Sequence, residues 1–201
     1  MRYNEDILIY DNFLPTDLHH AIYQHALKQD YQYTYADEND TDPKTMDRCF
    51  EYNGGESDSY IDLIIKAAKM HKDMKFILDQ SEMYRGFYNL YLPGCRTTFH
   101  KDSKYEGDEG WTFLYFPNIE PWDNNKGGEL QIIKEEIIGI RAVPNRIVAF
   151  NGVLWHKGNC YTNNDIRRSV AIQTHTLNGK PIRFDQQNKP QQRISRITRM
   201  Q

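Results

Sequence analysis

Two short stretches of this sequence place a histidine and an aspartate two residues apart, a pair of side chains that can share one metal ion. They are MHKDM over residues 70–74 and FHKDS over residues 99–103. Because the chain holds 7 His and 17 Asp among 201 residues, chance alone accounts for close to one such match. The surrounding sequence must therefore show which pair could bind a metal.

The first pair follows a segment with helical periodicity. Its apolar residues recur at intervals of three and four: Ile61, Ile64, Ile65 and Ala68. Ser57 or Ser59 is the expected N-cap, and the helix is expected to end at the pair itself. Side chains two positions apart on a helix point about 200° apart, so His71 and Asp73 cannot both face one ion. We therefore expect a solvated helix end here.

An earlier helix is predicted in LPTDLHHAIYQHALKQ, with Thr16 as its N-cap. Its buried face is expected to carry Leu18, Ala21, Ile22 and His25. His19, His20 and His25 have no carboxylate at ligand spacing, so we expect them to be ordinary helix residues.

The second pair lies in a half of the chain with strand character. From residue 81 onward, short runs of β-branched and aromatic residues alternate with turn sequences such as YLPG and VPN. This pattern is typical of a sandwich or barrel. Because side chains two positions apart in an extended chain share a face, His100 and Asp102 can both reach one ion.

A third ligand and a cationic partner follow along the chain. His156 follows Asp102 with 53 residues between them, beside the strand sequence RIVAF, and Arg167 opens RRSVAIQT with 10 residues between it and His156. Two imidazoles and one carboxylate form the facial set of non-haem Fe(II) oxygenases, which leaves positions open for other ligands. An arginine can pair bidentately with the carboxylate of a 2-oxo acid. The spacing alone is equally consistent with three unrelated polar residues that happen to lie at strand ends.

The surrounding motifs resemble the prolyl-4-hydroxylase-like branch of the Fe(II)/2-oxoglutarate-dependent oxygenases. The matching segments are YLPGCRTTFHKD, FLYFPN with the later GGEL, VPNRIVAFNGVLWH and RRSVAI, in the family's order and spacing over residues 81–177. The segment DNFLPTDLHHAI also resembles the family's opening strand and helix.

The resemblance implies roles for individual residues. Arg167, which fits the Arg-x-Ser pattern better than Arg168, matches the residue that binds the C5 carboxylate of 2-oxoglutarate. Tyr91 matches a tyrosine that lines the same pocket, with a core strand aromatic as the alternative. The positions that match the iron ligands are His100, Asp102 and His156.

One position departs from the family pattern. Many relatives have Tyr-Leu-Asn where this chain has FPN, so Phe116 replaces a tyrosine that reaches 2-oxoglutarate. Tyr115 lies one position away, on the opposite face of a strand unless the register shifts. Tyr88 and Thr112 are the other candidates for that hydrogen bond.

The fold implied by the resemblance is mainly β with flanking α: a double-stranded β-helix, or cupin-like jelly roll, buttressed by N-terminal helices. We expect one oxygenase domain over residues 1–201. It would consist of helical support and a loop (1–80), a catalytic core (81–177) and a basic tail (178–201). The polar segment 34–59 is expected to be a long loop, either a lid or a surface excursion. The tail could contact an acidic partner or be solvated.

The activity implied is hydroxylation of a C–H bond, with a prolyl residue of a peptide or protein as the expected substrate and with conversion of 2-oxoglutarate to succinate and CO2. This reaction would require Fe(II), 2-oxoglutarate and O2, and ascorbate is a candidate additional cofactor. Asp102 favours hydroxylation, because a halogenase lacks this carboxylate. The alternatives are an oxygenase for a free amino acid, another side chain or a nucleobase, and a non-catalytic metal-binding jelly roll.

Composition narrows the class further. A net charge of −3 and a pI near 6.2 argue against a dedicated nucleic-acid binder. The N-terminal apolar run is too short for a signal peptide or a membrane span. Cys49, Cys95 and Cys160 include no Cys-x-x-Cys pair, so neither a disulfide framework nor a thiolate zinc site is indicated. A cytoplasmic protein without membrane contact is expected.

Overall fold

The computed structural model describes residues 4–33, 45–51, 57–103, 110–177 and 182. Its helices are α1 (Thr16–Ala26), α2 (Ser59–Ala68) and α3 (Lys72–Leu78). Its strands are β1 (Ile7–Tyr10), β2 (Gln32–Tyr33), β3 (Thr45–Glu51), β4 (Ser81–Tyr91), β5 (Trp111–Tyr115), β6 (Leu130–Ile133), β7 (Ile137–Ile140), β8 (Ile147–Asn151), β9 (Trp155–Gly158) and β10 (Arg167–Thr176). The predicted mainly-β class with N-terminal helices is confirmed.

The strands form two antiparallel sheets. The large sheet has seven strands in the order β1-β8-β5-β10-β4-β3-β2, and the small sheet has three in the order β7-β6-β9. Each strand after residue 81 that the sequence predicts is present, because the β-branched and aromatic runs suit pleated, half-buried surfaces. The segment before residue 81 contributes β1, β2 and β3 to the large sheet, in addition to the helices.

The large sheet is buried on both faces. Neighbouring residues along its strands alternate between two apolar clusters, since successive side chains point to opposite faces. Phe113 packs with the helices and Leu114 packs between the sheets. In the same way, Ile172 packs with the helices and Ala171 packs between the sheets. The inter-sheet cluster, which also contains Leu130 and Ile132 of the small sheet, forms the floor on which the candidate site lies.

The helix ends differ from the prediction. Pro15, without a side-chain cap, occupies the N-cap position of α1, and Thr16 is the first helical residue. At α2 the cap is Asp58, between the two predicted serines, because its carboxylate accepts the backbone N–H groups of Tyr60 and Ile61.

The buried face of α1 is also displaced from the predicted one. It carries His19, Ile22, Tyr23 and Ala26. Burial of His19 is explained by a hydrogen-bonding contact, since its Nδ1 lies 2.6 Å from the Tyr115 hydroxyl. Of the predicted face, only Ile22 is fully buried.

Where the sequence predicts a single helix leading into the first HKD, the structure has two helices. The first, α2, ends at Ala68, and α3 begins at Lys72 with His71 at its N-cap position. His71 and Asp73 therefore lie at the start of a helix, not at the end of one. The ring of His71 packs 4.6 Å from that of Tyr10, whose hydroxyl donates to Asp73 over 3.4 Å.

The predicted loop over 34–59 is interrupted by β3, which pairs with β4 along its length. Residues 57–59 lead into α2 and include its N-cap, while 34–44 and 52–56 lie outside the described residues, as does the basic tail apart from Ile182. Among the residues described, no helix is both long and apolar enough to cross a bilayer.

Candidate metal centre and co-substrate pocket

The second HKD and His156 meet at one point. Asp102 lies between the two histidines, with Oδ1 3.6 Å from Nε2 of His100 and Oδ2 3.3 Å from Nε2 of His156. One potential ligand atom from each side chain lies within 4.8 Å of the other two. Of the described residues, this is the group of three that could hold a metal ion.

Backbone pairing brings these residues together. His156 lies within β9, a strand that the sequence did not predict, and His100 bridges to it. Each of the two backbone N–H groups donates to the other residue's carbonyl over 2.9 Å. The N–H of Asp102 donates to the carbonyl of Gly152 over 3.0 Å. The site is thus held at the edge of the small sheet, against the end of β8.

Hydrogen bonds behind the ligand atoms orient them. Nδ1 of His156 lies 2.9 Å from the Leu154 carbonyl, and Nδ1 of His100 lies 3.2 Å from the Thr98 carbonyl. With Nδ1 protonated in each ring and Nε2 deprotonated, as metal binding would require, both Nε2 atoms would present lone pairs to the centre. Thr112, on β5, donates its hydroxyl to Asp102 Oδ2 over 2.5 Å.

The electrostatics favour a bound cation. Burial acts to raise the pKa of Asp102, but the hydrogen bond and charge of His156, with Thr112 and His100, outweigh it and hold the pKa at about 2. Burial and the neighbouring His156 lower the pKa of His100. Burial also acts against the charged form of His156, yet its pKa is raised, because Asp102 accepts its hydrogen bond. One fixed carboxylate with two imidazole nitrogens is a suitable donor set for Fe(II).

Arg167 forms the second part of the site. Its side chain is fully buried, and Nε donates to the carbonyl of Gly128 over 2.9 Å. Its Cζ lies 4.4 Å from the ring centroid of Tyr91 and 5.3 Å from that of Phe116. Within the described part of the chain, neither terminal guanidinium nitrogen has a hydrogen-bond partner. Such a buried, half-satisfied cation is costly, and a carboxylate would satisfy it bidentately.

Gly158 leaves space beside this guanidinium. A Cβ at that position would lie 3.2 Å from both terminal nitrogens of Arg167 and from the Tyr91 hydroxyl. The unpaired nitrogens, the Tyr91 hydroxyl and the missing side chain therefore meet in one place. That combination fits the far carboxylate of a 2-oxo acid.

Ser169 is a further candidate for the site that was not predicted from the sequence. It lies two positions after Arg167 on β10, hence on the same face, and its hydroxyl is buried without a partner among the described residues. The Arg-x-Ser pattern in the sequence could have indicated this serine, but it was used only to favour Arg167 over Arg168. Arg168 occupies the alternate position on the strand, so its side chain leaves the pocket on the other face.

The structure does not bring Tyr115 or Tyr88 into this pocket. The Tyr115 hydroxyl donates to Asn145 over 3.1 Å and packs on the helix side of the sheet. Tyr88 lies in the same helix-side cluster and donates to Asp58. Strand alternation is the reason, since the register is regular and Phe116 takes the inward position. Thr112 faces the site, but its hydroxyl contacts the candidate metal ligand Asp102.

Comparisons with known proteins show similarity in structure only. No protein-family model and no curated protein matches the sequence. A Pseudomonas putida prolyl-4-hydroxylase superimposes with a TM-score of 0.66 at 17% identity, over 86% of this chain and 94% of that one. A Trichoplax adhaerens prolyl hydroxylase, solved with a hypoxia-inducible-factor peptide fragment, gives 0.63 at 14% identity over 88% and 86%.

A third structure extends the comparison to different chemistry. The non-haem α-ketoglutarate-dependent carbocyclase SnoK, from nogalamycin biosynthesis, gives a TM-score of 0.61 at 10% identity, over 86% of this chain and 80% of that one. All three similarities cover most of both chains. The chain therefore has the double-stranded β-helix fold of the 2-oxoglutarate/Fe(II) oxygenases, as its sequence predicts.

Proposed function

We propose that this protein is an Fe(II)- and 2-oxoglutarate-dependent dioxygenase that hydroxylates a C–H bond. The observation that carries the proposal is the pair of unpaired terminal nitrogens on buried Arg167, in the same inter-sheet space as a His-Asp-His cluster. A group of potential metal ligands would by itself be compatible with many functions. A buried cation without an acceptor requires an anionic ligand, and a 2-oxo acid with a second carboxylate supplies one.

Each residue of the candidate site would have a specific role. His100, Asp102 and His156 would hold Fe(II), leaving open positions for exogenous ligands. Arg167 would bind the C5 carboxylate of 2-oxoglutarate, with Ser169 and Tyr91 as hydroxyl donors beside it. Thr112 would hold Asp102 in position. The three ligands would lie in one domain over residues 1–201, whose core is residues 81–177.

The bound metal supplies the redox chemistry that couples 2-oxoglutarate decarboxylation to insertion of one oxygen atom into a C–H bond. The balance is R–H plus 2-oxoglutarate plus O2 giving R–OH, succinate and CO2. The protein's own contribution is placement. The fixed guanidinium orients the co-substrate relative to the metal ligands, and the inter-sheet apolar cluster excludes water from the inner wall.

For the substrate we propose a prolyl residue in a peptide or protein. Two of the similar structures are prolyl hydroxylases, and one of them was solved with a peptide fragment. On this chain the His100 side chain is exposed, so the metal centre opens to solvent on the side of that residue. An open side suits an extended chain better than an enclosed small molecule.

A different target is the second candidate. The similarity to the carbocyclase SnoK, nearly as high as that to the prolyl hydroxylases, supports it. A free amino acid, another side chain or a nucleobase would then replace the prolyl residue, while the roles of the metal ligands and Arg167 would be unchanged.

Succinate formation from 2-oxoglutarate and Fe(II), measured with and without a proline-rich peptide and with ascorbate, tests the proposal. Turnover that the peptide stimulates supports the prolyl substrate. Turnover stimulated only by small molecules or nucleic acid supports the second candidate. An iron-loaded, folded protein with no turnover at all, coupled or uncoupled, would contradict both.

The two HKD copies supply matched variants for the same assay. His100→Ala should abolish iron binding and succinate formation, because it removes a ligand. His71→Ala should leave both near the wild-type values, because His71 packs against Tyr10 and Phe13 at the other side of the large sheet. Equal loss in two variants that are both folded would show that His100 has no special part.

A further inference from the structure

Two of the three cysteines lie together although 65 positions separate them. The thiol of Cys160 donates to the backbone carbonyl of Cys95 over 3.4 Å. Both are free thiols. Both also line an open cavity of about 400 Å3 between the turn that follows β4 and the connection from β9 to β10.

We propose that Cys95 and Cys160 are a reversible disulfide site that reacts with a small disulfide such as oxidised glutathione. In the first step, the Cys160 sulfur bonds to one glutathione sulfur and the other leaves as glutathione thiol. In the second, the Cys95 sulfur bonds to Cys160, and the second glutathione leaves as thiol. The protein loses two electrons and two protons, and one oxidised glutathione becomes two reduced ones.

The order of attack follows from exposure. Cys160 is half-buried, whereas Cys95 is 8% exposed, so a reagent in the cavity meets Cys160 first. Burial raises the pKa of Cys95 to about 12, and the charge and hydrogen bond of Cys160 contribute to the rise, while Arg167 opposes it. The contribution of Cys160 to this rise ends once its sulfur is in the mixed disulfide, while the larger contribution, burial, remains.

The cavity wall suits this reactant. Arg96 and Lys157 present two cations beside the thiols, and Glu129 is the acidic residue on the same wall. Oxidised glutathione carries four carboxylates, which the two cations can attract. The volume of about 400 Å3 admits a ligand of this class at least in part.

The cross-link would join the two connections that lead into the candidate site. One runs from Tyr91 to His100, and the other runs from His156 to Arg167. Closing so long a loop restricts the unfolded chain, so the melting temperature of the oxidised protein should exceed that of the reduced protein by about 5–10 °C. The site does not rest on the proposed enzymatic function, since its test requires neither iron nor 2-oxoglutarate.

The experiment is a titration of the folded protein in glutathione buffers of increasing oxidised fraction, followed by trapping with N-ethylmaleimide and mass spectrometry. The reduced chain has 3 Cys to label. In oxidising buffer the wild type should keep one label, and digestion should yield a peptide pair linked through Cys95 and Cys160. Reduction with dithiothreitol should restore all labels.

Variants separate this pair from the third cysteine. Cys49→Ser should still form the linked peptide, whereas Cys160→Ser should form no internal disulfide. Full labelling of the wild type at every glutathione ratio would overturn the proposal. So would a disulfide through Cys49, or a mixed glutathione adduct that never closes. Because the linked peptide is measured on the wild-type chain, a variant that fails to fold does not affect the decision.

Discussion

Thr112 and Asp102 connect the large sheet to the candidate metal centre through one hydrogen bond, in which the threonine hydroxyl donates to Oδ2 over 2.5 Å. Thr112 lies on β5, with its Cα opposite Phe150 of β8 and Gln173 of β10. The carboxylate is thus oriented by the interior of the sheet, although its backbone belongs to an irregular segment. Partners of this kind commonly control the affinity of the metal ligand that they orient.

Thr112→Val should lower the affinity for Fe(II) by about 10- to 100-fold, because Asp102 loses its orienting donor while the side-chain shape is kept. Thr112→Ser, which retains the hydroxyl, should stay close to wild type. Anaerobic titration with Fe(II), or with Co(II) as a spectroscopic substitute, measures both. Unchanged affinity in the valine variant would mean that the backbone alone fixes Asp102.

Arg167→Gln should raise the Kd for 2-oxoglutarate by about tenfold or more, since a charge-assisted hydrogen bond contributes about 1.5–3 kcal/mol. Arg168→Gln, on the neighbouring strand position, is the matched control and should change this Kd little. Calorimetry on the metal-loaded protein without O2 gives both values. A similar rise in the two variants would show that Arg167 has no specific contact with the co-substrate.

Ser169→Ala should change two measurements in opposite directions. The hydroxyl is buried without a described partner, so its removal should stabilise the protein without co-substrate by about 1 kcal/mol. The same change should weaken 2-oxoglutarate binding several-fold, because a donor to the carboxylate is lost. Urea unfolding and calorimetry measure the two effects. Destabilisation of the free protein would indicate that the hydroxyl already has a partner.

Gly158→Ala should also weaken 2-oxoglutarate binding, by about tenfold, because the new methyl lies 3.2 Å from the terminal nitrogens of Arg167 and from the Tyr91 hydroxyl. Gly139→Ala is a suitable control, since no atom lies within 4 Å of a Cβ added there. The control should bind as the wild type does. Tight binding by Gly158→Ala would place the carboxylate away from this corner.

Asp58 should contribute to stability against acid. Burial acts to raise its pKa, but hydrogen bonds from the Ile61 N–H, His25 and Tyr88 outweigh it and lower the pKa below the ordinary value of 3.8. The ionised carboxylate therefore stabilises the fold fully above the unfolded-state pKa of 3.8, and this contribution is lost as the pH falls through the lower folded-state pKa.

Asp58→Asn should cost about 1–2 kcal/mol at neutral pH and should flatten the loss of stability below pH 4. Urea unfolding at a series of pH values measures the two effects together. In a double-mutant cycle, Tyr88→Phe should cost less in the asparagine background than in the wild type, because the shared hydrogen bond is already weakened. Parallel acid limbs for wild type and Asp58→Asn would contradict the assignment.

Local pattern in the sequence determined much of this fold. The runs of β-branched and aromatic residues predicted every strand after residue 81 except β9, and the period of two placed His100 and Asp102 on one face. These inferences succeed because the direction of a side chain on a strand depends only on neighbouring residues. The same period placed Phe116, not Tyr115, toward the inter-sheet space.

Local pattern failed where a distant contact competes with it. Asp58 caps α2 in place of a serine because its carboxylate also forms hydrogen bonds with His25 and Tyr88. His71 begins a second helix because its ring packs on Tyr10 and Phe13. Both contacts join segments that are far apart in the chain, so no periodicity within the segment itself could show them.

Only the tertiary structure decided what surrounds the candidate ligands. The strand β9 exists because it pairs with β6 and bridges to His100. The unpaired groups of Arg167 and Ser169, the support of Asp102 by Thr112 and the contact of Cys95 with Cys160 all depend on chain segments brought together from a distance. The sequence by itself determined which residues could bind a metal and a carboxylate. Sheet pairing decided which of them meet, because hydrogen bonds between strands have no fixed separation along the chain.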